Sequence, residues 1–99
     1  FIDDVVESVR CALTWVEKGA FDVFNVGAGE TVLLREMLDC LARELGLSPK
    51  VRQLPPHEAD VYSTRADLAH SKVVLGYQPK TGFPEGLSHF LKWFRAVNS

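Results

Sequence analysis

Ninety-nine residues, 46% of them apolar and 24% charged, suit one small globular domain, because a chain of this length buries only about 60–70% of the surface it exposes when unfolded and closes one core, not two. The net charge of −2 comes with no basic stripe, which speaks against a nucleic-acid surface. No run of about 18 apolar residues is present for a membrane span, and the start lacks the order of a secretory signal, so a cytoplasmic protein with no membrane partner is expected.

The chain opens at Phe1 without a methionine, inside what reads as a helix entrance, and this suggests a piece of something longer. From about Asp3 to Glu17, Val5, Val6, Val9, Leu13 and Val16 recur near helical spacing, and Asp3 and Asp4 suit the positive end of a helix dipole. Lys18 and Gly19 are expected to close that helix, a cation in the last turn and a glycine just beyond. Phe21 to Val26 is aromatic and β-branched with apolar residues on both alternating faces, which predicts a buried strand ending at Gly27-Ala28-Gly29. Such a strand needs neighbours.

From Thr31, the residues Leu33, Leu34, Met37, Leu38, Leu41 and Leu45 form an apolar stripe, with Arg35, Glu36, Asp39, Arg43 and Glu44 facing away. This predicts a second helix, capped by Thr31 or Glu30 and ended by Gly46. Lys50 to Leu54 reads as a weaker strand, stopped by Pro55 and Pro56, which cannot donate to a ladder. Asp67 is placed to cap a short helix over Leu68 to Leu75, closed by Gly76. Pro84 stands at a first helical position, and Leu87, Phe90, Leu91, Phe94 and Val97, with Trp93 beside them, make the face of a last helix. The resulting order is helix, strand, helix, strand, helix, helix, hence an α/β piece.

Little of this spacing carries chemistry. Cys11 and Cys40 form no C-x-x-C pair and read as small buried residues in a reducing compartment. Gly27-Ala28-Gly29 begins a phosphate-binding turn, but Val32 occupies the place of the third glycine of G-x-G-x-x-G, and a tight strand-to-helix turn is the simpler reading. His57, His70 and His89 lack the spacing of a metal site, and no G-x-S-x-G is present. The exposed polar stretch is Leu54-Pro55-Pro56-His57-Glu58-Ala59-Asp60-Val61, a loop between buried elements, where binding sites tend to lie.

Five marks in order give the chain a family likeness. Phe1-Ile2-Asp3-Asp4-Val5-Val6 looks like an aromatic-[VI]-D-D-[VI]-[VA] helix start, and Phe24-Asn25-Val26-Gly27 like Y-N-[VI]-G. Leu54 to Val61 is similar to L-P-x-Q-x-G-D-V, and Thr64-Arg65-Ala66-Asp67 to T-x-A-D. Leu75-Gly76-Tyr77-Gln78-Pro79, Glu85-Gly86-Leu87 and Trp93-Phe94 look like L-G-[YW]-x-P, E-G-[LI] and W-[YF]. Across nearly its whole length the chain resembles the C-terminal part of extended short-chain dehydrogenases/reductases of the NAD-dependent epimerase/dehydratase family, nearest the UDP-glucuronate and UDP-glucose 4-epimerases.

The resemblance implies a fragment of a Rossmann-type enzyme: residues 1–99 as the C-terminal substrate-binding segment, with about 1–30 ending the Rossmann part, Phe21 to Val26 as the sheet's edge strand, and the rest a small, mostly helical substrate domain. It places the NAD loop and all catalytic residues before Phe1, so the isolated chain is expected to be inactive and to hold no NAD itself. It carries a nucleotide-sugar role onto Asp60, as acceptor of ribose hydroxyls, and onto His57, near the diphosphate, with Arg52 and Arg65 as spare cations. The competing reading makes Asp60 a loop-capping acid. Ala59 replaces the family glycine, a costly change if φ there is positive, and Glu58 adds negative charge. The alternatives are a non-catalytic binding or assembly module, or a reductase acting on a non-nucleotide carbonyl compound. Faces shaped to pack on a missing domain also predict self-association.

Overall fold

The computed structural model describes residues 1–17 and 21–99. It contains four helices: α1 (Ile2–Val16), α2 (Leu34–Leu45), α3 (Ala69–Leu75) and α4 (Phe83–Val97). The expected α/β fold is not observed. No strand occurs among the described residues, neither at Phe21 to Val26 nor at Lys50 to Leu54. A ladder needs a neighbouring strand to accept its hydrogen bonds, and among the described residues none lies beside these stretches. Phe21 and Val23, expected inside a sheet, are 91% and 74% exposed. The proposed end of the first helix at Lys18 and Gly19 lies outside the described residues.

Helix boundaries follow local chemistry closely. Gly46 and Gly76 close α2 and α3 at φ 66° and 68°, the left-handed region that glycine enters without penalty. Helix α2 starts later than Thr31 or Glu30 would cap it: Leu33 is the cap residue, and Glu36 accepts its N–H at 3.2 Å. Asp67 Oδ1 accepts the Ala69 N–H at 3.0 Å and starts α3 one residue later than expected. Pro84 sits in the first turn of α4, where a missing N–H is harmless.

Helix α1 packs on α3, and α2 on α4. Cys40 and Leu91 are buried in the second pair; Leu68, Ser71 and Tyr77 are buried at and just after α3. Helix α1 turns an unexpected side inward. Asp4 and Ser8 are buried and Cys11, Ala12 and Trp15 half-buried, one helical stripe, whereas Val5, Val6, Val9, Leu13 and Val16 all face solvent. Asp4 explains part of this choice, since its two carboxylate oxygens accept the backbone N–H groups of Lys80 (3.0 Å) and Thr81 (3.1 Å) and tie α1 to the α3–α4 connection.

Candidate functional site

The loop from Pro55 to Asp60 is built around a four-residue turn. The Asp60 N–H donates to the His57 carbonyl at 3.0 Å, and the Ala59 N–H donates to His57 Nδ1 at 3.2 Å. The turn is therefore held by backbone and by the imidazole, and the Asp60 carboxylate is not its cap: it takes no hydrogen bond from the described residues. Among the described residues none other than glycine has positive φ, so Ala59 sits in this turn without backbone strain. With Nδ1 accepting, the ring proton of His57 is on Nε2.

The four residues after Asp60 form part of a wall. Val61, Tyr62, Ser63 and Thr64 line an open cleft of about 960 Å³, faced by Phe1, Leu34, Thr81, Phe83 and Phe90. The cleft is mostly apolar, with hydroxyls from Ser63 and the threonines and one carboxylate, Glu30. Tyr62, which sequence reasoning passed over, is fully exposed beside it. Only its place two residues beyond Asp60 signalled it.

The candidate cations are not gathered with His57 and Asp60. Arg65 donates Nε to the Gly29 carbonyl at 2.9 Å and lines a separate groove with Asp67 and Lys72. Arg52 is exposed, with no polar side-chain contact among the described residues. His70 is exposed but engaged: Nε2 lies 2.8 Å from Asp22 Oδ2, and the ring stacks on Phe24 at 5.1 Å. That His70 bond, helped by the Val23 N–H, holds the Asp22 carboxyl below the usual carboxylate range. His89 stacks on Phe1 at 5.4 Å. Among the described residues no three His, Cys, Asp or Glu side chains converge as metal ligands.

The glycine turn is occupied by protein. A Cβ on Gly27 would lie 3.0 Å from Ala66 Cβ, and one on Gly29, at φ 74°, would lie 2.9 Å from Leu68 Cδ1. These glycines admit the close approach of Ala66 and Leu68.

No family model and no solved structure matches the chain. An uncharacterized protein of Methanocaldococcus jannaschii is 34% identical over 94 residues, covering 95% of this chain and 28% of that protein. UDP-glucose 4-epimerase of Mycolicibacterium smegmatis is 32% identical over 96 residues, 96% of this chain and 30% of the relative. UDP-glucuronate 4-epimerase of Thermodesulfobacterium geofontis is 28% identical over 94 residues, 94% of this chain and 28% of the relative. The chain thus spans less than a third of the length of these relatives, and it is related over nearly all of its own length to proteins named as nucleotide-sugar epimerases. No helix among the described residues is long and apolar enough to cross a membrane.

Proposed function

We propose that this chain is the nucleotide-sugar-binding segment of an NAD-dependent sugar-nucleotide epimerase or dehydratase, with NAD and the reacting groups held outside these residues. The observation that carries the reading is the uncommitted carboxylate of Asp60, exposed in a turn that other groups hold together. An ionised carboxylate is acceptor-only and takes two vicinal hydroxyl hydrogens of a ribose. His57 Nε2–H is a donor for a phosphate oxygen, and Tyr62 offers an exposed ring next to the same backbone. Arg52 is an exposed spare cation, while Arg65 is held on the Gly29 carbonyl. The chain binds and orients; it moves no proton or hydride.

Nuclear magnetic resonance titration of the chain with UDP, UDP-glucose and UDP-glucuronate tests this. Shifts should concentrate on residues 57–64. Asp60→Asn should weaken binding roughly 10- to 100-fold, the equivalent of the 1.5–3 kcal/mol that a hydrogen bond to a charged group contributes. Unchanged affinity in the variant, or shifts confined to other regions, would sink the assignment.

A further inference from the structure

Two of the stretches that wall the open cleft are Glu30 to Leu34 and Val61 to Thr64. They are distant in sequence, and no hydrogen bond among the described residues joins one to the other directly. They meet one residue outside the cleft, at the residue before the first wall and the residue after the second. There Arg65 Nε donates to the Gly29 carbonyl at 2.9 Å. Gly29 has φ 74°, the turn from which the chain enters the first wall.

Behind that bond the two stretches are docked by contacts that do not involve Arg65. A Cβ on Gly27 would lie 3.0 Å from Ala66 Cβ, so backbone and side chain meet closely there, and Leu68, buried, reaches Gly29 in the same way. Tyr77 Oη donates to the Gly27 carbonyl at 2.8 Å, and Asn25 Nδ2 donates to the Asp67 carbonyl at 3.2 Å. These contacts hold Ala66 to Leu68 against Asn25 to Gly29. On the cleft side of the dock, the Arg65 bond is the polar link that remains.

The charge of Arg65 is turned away from the cleft. Its side chain lines the separate groove with Asp67 and Lys72 and is absent from the cleft wall. Nε is the inner donor of a planar, rigid guanidinium, so committing it to a carbonyl fixes the orientation of the whole head. Reaching a ligand in the cleft would require breaking that bond.

We propose that Arg65 is a positioning residue, whose bond to Gly29 sets the spacing of the two cleft walls and so the place of Val61 to Thr64 beside a ribose held by Asp60. It acts through the backbone and does not touch the ligand. The inference rests on the nucleotide-binding reading given above. Its physical basis is preorganisation: a wall fixed before the ligand arrives does not lose that freedom on binding.

Nuclear magnetic resonance titration of the 99-residue chain with uridine and with UDP, unaltered and as Arg65→Met, is the test. Methionine keeps much of the stem and removes both donor and charge, while the dock through Ala66, Leu68 and Tyr77 should preserve the helical circular dichroism. Uridine and UDP should weaken by the same factor, about three- to tenfold, at low and high salt alike. In the free variant the amides of residues 30–34 and 61–64 should shift together. A loss for UDP that exceeds the loss for uridine and shrinks with added salt makes Arg65 a diphosphate ligand and overturns the proposal. Unchanged affinities overturn it too. The Arg65 Nε–H resonance of the unaltered chain gives a reading that needs no variant. It should be protected from solvent exchange and respond alike to uridine and UDP; free exchange, or a response to UDP alone, overturns the clamp. If neither ligand binds the unaltered chain, the function proposed above fails by itself. The clamp then falls if the amides of 30–34 and 61–64 do not move in Arg65→Met.

Discussion

Replacing Asp4 should damage this fold more than replacing any of the exposed apolar residues of α1. The carboxylate is only 7% exposed and accepts two backbone N–H groups, from Lys80 at 3.0 Å and Thr81 at 3.1 Å. Hydrogen bonds to a charged group contribute about 1.5–3 kcal/mol, and a buried donor left without an acceptor costs about 1–3 kcal/mol. Asp4→Ala orphans both amides and should lose about 2–5 kcal/mol, a large part of the ~5–15 kcal/mol of an ordinary domain. Asp4→Asn keeps one acceptor but turns an NH₂ toward the other amide, and should fall between. The Lys80 amide, opposed by burial and helped by the Thr81 amide, holds the Asp4 carboxyl below its ordinary value of 3.8. Its stabilisation is therefore present above 3.8 and lost as pH falls through the lower folded value. Urea unfolding followed by tryptophan fluorescence, at fixed protein concentration and repeated into acid, measures both effects. A wild-type-like midpoint for Asp4→Ala, or an acid limb as steep in Asp4→Asn as in the wild type, would refute the reasoning.

Gly29→Ala should destabilise by about 1–3 kcal/mol in the same assay, because φ is 74° and the new Cβ would press on Leu68 Cδ1 at 2.9 Å. Gly46→Ala, at a similar φ but with nothing within 4 Å, should lose less. Tyr77→Phe should cost about 1–2 kcal/mol, since it strips the Gly27 carbonyl of a 2.8 Å donor deep in the fold. Burial, aided by the negative Asp4, raises the Tyr77 phenol above its ordinary 10.0. Its contribution is thus intact below that value and is lost as pH rises through the higher folded one, visible as late phenolate absorbance that Tyr77→Phe removes.

The candidate loop was partly legible in the chain. A proline pair, a turn and three ionisable groups mark Pro55 to Asp60 as an exposed loop, because turn chemistry is local. That His57 rather than Asp60 ties the turn, and that Ala59 sits in it at ordinary φ, are facts of geometry. Arg65 looked available because its partner, the Gly29 carbonyl, lies 36 residues earlier.

By itself the sequence determined the four helices, since periodicity, Gly46, Gly76 and Pro84 act through bonds three or four residues long. Tertiary structure decided which surfaces those helices use. Helix α1 carries two plausible faces, and the distant amides of Lys80 and Thr81 help select the side bearing Asp4. The segment at Phe21 to Val26 has the composition of a strand, yet a strand exists only beside another. Here side chains supply the donors instead: Ser71 to the Asn25 carbonyl, and Tyr77 and Arg65 to the Gly27 and Gly29 carbonyls just beyond.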